Sequence, residues 1–214
     1  MSIKNKQRVD LQIIYFSPNC KEEWFLNAIN SVKDEPINLS LYEGHEFGPL
    51  HLRQEFIEKS NSPYIGWIDD DDELIPGTIQ QCVDFLDRVE NQHYCGVYTN
   101  YEIMDEDSIT FETIQHNPYD KNNIHVPRKR PFHFTLLRNQ AARQCLKIPA
   151  KFHGSRGGDT LLINAYATSF GDWYQLPITG YRWRSRKDSQ GKKLNGYAHV
   201  VSHCIHVVYK EIVI

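Results

Sequence analysis

Short apolar segments alternate with helical segments at the start of the chain, and this alternation limits the folds open to it. Residues 11–16, 37–42 and 64–68 are rich in β-branched and aromatic residues, which is typical of strands. The two segments between these strands both show the helical spacing of apolar residues, and the second predicted helix runs from about residue 49 to 60. Strands joined by single helices over so short a length require right-handed crossovers and parallel pairing. We therefore predict an α/β fold with a central, mostly parallel sheet flanked by helices.

The length and composition suit a single globular domain. The 214 residues are 40% hydrophobic and 24% charged, which is ordinary for such a domain. Residues 1–10 are polar, so we predict a flexible N-terminus followed by one domain over 11–214. No apolar run approaches the roughly 18–20 residues of a membrane-spanning helix, and the first residues lack the apolar core of a signal peptide. Five scattered cysteines without C-x-x-C spacing argue against a disulfide framework, so we expect a cytoplasmic protein without integral membrane association.

An acidic block, Asp69-Asp70-Asp71-Asp72-Glu73, follows the third predicted strand. Adjacent carboxylates repel one another unless a cation offsets their charge, and parallel sheets bind ligands at the carboxyl ends of their strands. In an extended segment, Asp69 and Asp71 would point the same way. Oxygen ligands suit Mg²⁺ or Mn²⁺, which usually takes further ligands from substrate phosphates. The D-x-D pattern thus predicts a metal that holds a nucleotide diphosphate; an acidic turn that leads into a helix is the alternative.

Five motifs stand out along this chain: residues 22–32, Arg53, 67–76, 158–162 and 181–184. In this order they resemble the motifs of the A-type (GT-A fold) glycosyltransferases, and most closely family two, the inverting nucleotide-sugar enzymes. The resemblance covers about residues 11–190 and implies a single GT-A, Rossmann-like domain. It implies a nucleotide-sugar-binding half over 11–76, an acceptor-binding half over 77–214, and a metal-dependent glycosyltransferase activity with Mn²⁺ or Mg²⁺.

The resemblance also implies roles for individual acidic residues. Asp71 would bind the metal directly, Asp69 would contact the ribose or a metal-bound water, and Asp72 would orient one of these two. These three form the predicted metal site. Asp159 would be the general base that takes the proton of the acceptor hydroxyl. A helix N-cap is the alternative role for Asp159.

The predicted donor site combines a loop, acidic residues and arginines. The family places an acid at Glu43 against the nucleotide base and an arginine at Arg53 against the nucleotide or diphosphate; an exposed surface position is the alternative for both. Of three arginines near the expected lid, one would bind the diphosphate and the others would be surface residues. The residues predicted to bind the donor are Ser17, Pro18, Glu43, Arg53, Asp70, Arg182, Arg184 and Arg186.

The predicted partners are a nucleotide-sugar donor, UDP-linked first among the candidates, and an acceptor of either of two kinds. A saccharide is the commonest acceptor in the family. A hydroxymethylated base in DNA, as in small phage enzymes, is the other, because residues 128–130 and 182–193 are basic. The net charge of -3 lacks the basic field of a dedicated nucleic-acid binder. A phosphatase, disfavoured by Glu73 and Leu74 after Asp72, and a non-catalytic nucleotide- or sugar-binding module stay open as other functions; the sequence does not indicate the oligomeric state.

Overall fold

A computed structural model describes residues 7–15, 20–44, 49–120, 131–148 and 159–186, with the backbone alone at 159–161. Its helices are α1 (Glu22–Val32), α2 (Pro49–Lys59), α3 (Thr78–Leu86), α4 (Asn139–Ala142) and α5 (Asp159–Ala167), and none of these is long and apolar enough to cross a membrane. The strands are β1 (Val9–Tyr15), β2 (Ile37–Glu43), β3 (Tyr64–Asp69), β4 (Glu73–Leu74), β5 (Tyr94–Met104), β6 (Thr110–Ile114), β7 (Thr135–Arg138) and β8 (Asp172–Arg184).

The described strands form one eight-stranded sheet. Its order is β2-β1-β3-β7-β5-β8-β4, with β6 paired to β5. β1 pairs in parallel with β2 and β3, and β5 pairs in parallel with β8. β7 runs antiparallel between β3 and β5. The three parallel ladders contain most of the paired residues, which confirms the predicted α/β fold with a mostly parallel sheet.

Helices cover both faces of this sheet. α1 and α3 pack on one face, while α2, α4 and α5 pack on the other. Side chains of β3 enter the cores on both faces: Tyr64 and Ile68 pack on the face covered by α1 and α3, and Ile65 and Trp67 pack on the face covered by α2, α4 and α5. A strand that is buried on both faces reads as a continuous apolar run. This double burial explains why β3 was predictable from sequence.

Two differences from the predictions concern strands. β1 begins at Val9 rather than at residue 11, because Val9 pairs with both Ile37 and Tyr64; residues 1–6 lie outside the described ranges. β8 was not predicted as a strand. Its ladder with β5 shifts register on either side of Asn100, and such irregularities break the period-two pattern by which a strand is recognised.

Candidate active site between β3 and β8

The four aspartates lie in a tight turn that connects β3 to β4. β3 ends at Asp69, and the backbone N–H of Asp72 donates to the Asp69 carbonyl over 3.3 Å. β4 then pairs with β8, with Glu73 opposite Arg182. This turn removes the extended geometry on which the predicted common direction of Asp69 and Asp71 rested. The carboxylates of Asp69, Asp71 and Asp72 have different partners.

Asp72 is buried and attached to β8. Its Oδ2 accepts a hydrogen bond from the Tyr181 hydroxyl at 2.8 Å, and its Oδ1 accepts one from the Arg184 backbone N–H at 2.7 Å. Burial raises the pKa of Asp72 well above its usual range, and the charges of Asp71 and Asp69 add to the effect. Asp72 is only 1% exposed, and this geometry is compatible with the orienting role, which stays a prediction.

Asp71 lies in the turn beside Arg186. Its Oδ2 is 3.0 Å from the Arg186 Nε, and its side chain is 13% exposed. Burial raises the pKa of Asp71 to about 7; Arg186 opposes this rise, while Asp69 and Asp70 add to it. The negative form of Asp71 is therefore under-compensated, and a bound divalent cation would stabilise it.

Asp69 pairs with Arg53 of α2. Asp69 Oδ1 lies 3.1 Å from the Arg53 terminal nitrogen; the Asp69 side chain is 59% exposed, while that of Arg53 is only 4% exposed. The guanidinium of Arg53 also packs over the Trp67 ring at 5.0 Å. The alternative of a surface position for Arg53 is therefore wrong. Its buried charge points to the end of β3, as the prediction of a donor contact requires.

Arg184 connects the aspartate turn to the β5–β6 hairpin. Its Nε donates to the Asp71 carbonyl at 2.8 Å, and one terminal nitrogen donates to the Asp105 carbonyl at 3.0 Å and to the Ser108 hydroxyl at 2.9 Å. The other terminal nitrogen lies 3.2 Å from a Glu73 oxygen. Because this side chain is fully buried, the surface alternative for Arg184 is wrong, and its contact with the donor stays a prediction.

The other two arginines near the turn differ in their partners. Arg182 pairs with Glu102 at 3.0 Å and with Glu73 at 3.6 Å, and its side chain is 38% exposed. Arg186 stands beside Asp71. Arg182 is therefore partly exposed, and the donor contacts of Arg182 and Arg186 stay predictions.

Trp24 on α1 is a residue of this site that the sequence did not indicate. Its indole N–H donates to the Glu106 carbonyl at 3.2 Å. Its ring lies 5.1 Å from the Arg184 guanidinium, 5.8 Å from that of Arg186 and 4.3 Å from the Lys21 ammonium. The available signal was the place of Trp24 within the first family motif. The face of an aromatic ring attracts cations, so the Trp24 ring stabilises these three side chains in their positions.

Glu43 and Asp70 have different surroundings. Glu43 is exposed at the end of β2, opposite Tyr15 in the ladder with β1. Asp70 is buried, and its backbone carbonyl accepts a hydrogen bond from the Cys20 thiol at 3.4 Å. Their donor contacts stay predictions.

Three predicted site residues lie wholly or partly outside the described ranges. Asp159 begins α5, but its side chain lies outside the described part of the structure. Ser17 and Pro18 fall in the segment between β1 and α1 that the structure does not describe. The roles of all three stay predictions.

The carboxylates of the turn fit a metal that arrives with its substrate. Among the described residues, no group of three or more His, Cys, Asp or Glu side chains could hold a metal ion. This part of the protein therefore contains no preformed metal site. Asp69 and Asp71 are oxygen donors with some exposure at one end of the sheet. Mg²⁺ and similar hard cations are commonly held by one or two carboxylates together with substrate phosphates. The donor set fits that kind of site.

Comparisons with known proteins bear on the family and the fold of this chain. The chain is 27% identical, over 112 residues, to the GalNAc(5)-diNAcBac-PP-undecaprenol beta-1,3-glucosyltransferase of Campylobacter jejuni, which covers 52% of this chain and 35% of that protein. The fold matches S. aureus TarS with a TM-score of 0.59 at 10% identity, covering 83% of this chain and 37% of TarS. A structure of TarS 1–349 in complex with UDP-GlcNAc gives the same TM-score over 85% of this chain and 60% of that one.

These relatives are longer than this chain, which spans little more than a third of the glucosyltransferase. At 10% identity the likeness to TarS shows the fold, which is the predicted GT-A fold. The model of the Glycosyl transferase family 2 matches residues 19–146, from before α1 through α4 and including the aspartate turn. This chain therefore belongs to glycosyl transferase family 2.

Proposed function

We propose that this protein transfers a sugar from a nucleotide-sugar donor to an acceptor hydroxyl with the help of Mn²⁺ or Mg²⁺. The observation that carries the proposal is the Asp71 carboxylate beside Arg186, held at the carboxyl end of β3, where parallel sheets bind ligands. Arg186 balances the negative charge of Asp71 only in part, so this pair suits a diphosphate that carries a bound metal. Family membership supports the same activity.

The nucleotide would lie between the ends of β2 and β3. Asp69, which is exposed and backed by the buried Arg53, can accept hydrogen bonds from ribose hydroxyls. Glu43, exposed at the end of β2, can accept one from a base N–H. UDP-linked sugars are the first candidates, since the structurally similar TarS 1–349 was crystallised with UDP-GlcNAc.

The diphosphate would lie over the aspartate turn. Asp71, with Asp69, would hold the cation, which supplies Lewis-acid stabilisation of the leaving diphosphate when bound. Arg186 can then donate hydrogen bonds to phosphate oxygens in a bidentate way. Trp24 keeps this guanidinium near the turn through ring contact.

The acceptor would approach from the side of α5. We propose that Asp159 takes the proton from the acceptor hydroxyl as that oxygen attacks the anomeric carbon. A saccharide is the proposed acceptor, because the Campylobacter jejuni relative is named for transfer to a glycan on undecaprenyl diphosphate. A DNA base is the alternative; salt-dependent binding of duplex DNA would support it. A cytoplasmic location fits the cysteines at 20, 82, 95 and 145, which are free thiols.

A donor screen tests the proposal. The protein is heated with UDP-, GDP-, CMP- and dTDP-linked sugars, each with and without Mn²⁺. One donor should raise the melting temperature by roughly 5–10 °C at about a hundredfold excess over its Kd, and only with the metal. Asp159→Asn should keep this shift and lose most of the product formation, whereas a binding module would form no product with either protein. Absence of a shift for every donor would overturn the proposal.

A further inference from the structure

One hydroxyl group connects the two ends of the aspartate turn. The Tyr181 hydroxyl donates to Asp72 Oδ2 at 2.8 Å and accepts from the Asp69 backbone N–H at 3.3 Å. Tyr181 is 2% exposed, and its ring stacks near Phe134, with 6.1 Å between centroids. Asp71 lies between the two residues that this hydroxyl binds.

β8 holds the turn at further points. The second oxygen of Asp72 accepts from the Arg184 backbone N–H at 2.7 Å. Leu74 of β4 pairs with Tyr181 in the antiparallel ladder. The backbone on both sides of Asp71 is therefore fixed relative to one strand, and the Tyr181 hydroxyl supplies the contact that reaches both sides.

We propose that Tyr181 is a positioning residue for the metal site: through Asp72 and the Asp69 backbone it fixes the turn in the conformation in which Asp71 can bind a divalent cation. This inference rests on the proposed function. The Tyr181 hydroxyl is buried and acts on the site through the backbone and side chain of the turn. Its two hydrogen-bond partners in the turn explain why a buried polar group occupies a place that a phenylalanine ring would fill as well.

Removal of the hydroxyl separates this role from core packing. Tyr181→Phe keeps the ring against Phe134 and leaves Asp72 and the Asp69 N–H each without one hydrogen bond. Tyr98→Phe is the matched control, because Tyr98 is equally buried and its hydroxyl donates to the Asn117 carbonyl at 2.9 Å, in the core on the other face of the sheet. Both variants lose one buried hydroxyl, and only the first touches the turn.

The test measures bound Mn²⁺ directly. The full chain is titrated with Mn²⁺ in the presence of UDP, and free Mn²⁺ is followed by its electron paramagnetic resonance signal. Tyr181→Phe should weaken Mn²⁺ binding about tenfold or more, the usual effect of removing a group that orients a metal ligand. UDP affinity without metal should change less than about twofold, and Tyr98→Phe should bind Mn²⁺ as the wild type does.

The outcomes separate this inference from the proposed function. Wild-type protein that binds no Mn²⁺ with UDP, nor with the nucleotide of any other donor in the screen, overturns both. Wild-type binding that Tyr181→Phe leaves unchanged, or that both variants weaken equally, overturns the inference alone. If Tyr181→Phe does not fold, Asp72→Ala takes its place, because it removes the acceptors of both the Tyr181 hydroxyl and the Arg184 backbone N–H; unchanged Mn²⁺ affinity there overturns the inference too.

Discussion

Buried carboxylates occur at both ends of the central sheet, and their surroundings are opposite. Asp10, early in β1, accepts hydrogen bonds from Asn38 at 2.8 Å and from the Ser62 hydroxyl at 2.7 Å and backbone N–H at 3.2 Å, and another from Ser60. Burial alone would raise the pKa of Asp10, but these donors outweigh it and lower that pKa. The carboxylate here is stable as an anion.

At the other end, the aspartates of the turn lie beside one another. Burial raises the pKa of Asp71 to about 7, despite Arg186. The comparison teaches that burial by itself does not decide the state of a carboxylate: hydrogen-bond donors lower the pKa of Asp10, whereas neighbouring carboxylates add to the rise at Asp71. At one end of the sheet the Asp10 carboxylate stabilises the fold. At the other end, a bound cation would stabilise the negative charge of Asp71.

The largest expected effect is at Asp71. Asp71→Asn removes the negative ligand while keeping the side-chain shape, so product formation should fall at least about a hundredfold and the metal-dependent donor shift should disappear. Product is measured by chromatography at saturating donor. Asp87→Asn, at the opposite end beside Arg8 and Tyr64, is the control and should keep full turnover. Equal activity in both variants would contradict the assignment.

A stability effect should appear at Asp10 instead. Asp10→Ala leaves the buried donors of Ser60, Ser62 and Asn38 without their acceptor, which should lower the free energy of unfolding by about 3 kcal/mol. Turnover per folded molecule should not change. Urea unfolding and the product assay measure the two quantities. A loss of turnover in the folded fraction would show that the two ends are not functionally separate.

The two ends should also respond to pH with opposite sign. The lowered pKa of Asp10 gives stability that is complete above its unfolded value near 4 and lost as pH falls through the lower folded value. The raised pKa of Asp71 makes the metal-free protein gain stability as pH falls from about 7 towards 4. Urea unfolding from pH 3 to 8 should show both trends. Asp10→Asn should flatten the acid limb and Asp71→Asn the neutral limb; unchanged slopes would contradict the contrast.

The smallest expected effect is at Arg182. Its ion pairs with Glu73 and Glu102 are partly exposed, so Arg182→Gln should lower the free energy of unfolding by less than about 1 kcal/mol. Turnover should stay within about twofold of the wild type, in contrast to Arg186→Gln, which should raise the KM of the donor about tenfold. Equal KM values for the donor in the two variants would contradict the proposed contact between Arg186 and the diphosphate.

Sequence reasoning succeeded where local patterns and packing agree. β3 was predictable because both of its faces are buried, and the acid block stood out because it follows that strand. The direction of each aspartate was not predictable, since it depends on a turn and on β8, more than a hundred residues away in the chain. Arg184 and Trp24 illustrate the same limit: their partners come from the β5–β6 hairpin, and such long-range contacts leave no mark in a local pattern.

The most direct measurement is a crystal structure of the protein grown with Mn²⁺ and UDP. The account predicts Mn²⁺ bonded to an Asp71 carboxylate oxygen and to both phosphates, with the Arg186 guanidinium on the phosphate oxygens and Asp72 still bound to Tyr181. A structure in which nucleotide and metal bind away from the turn, with Asp71 still paired only to Arg186, would contradict it.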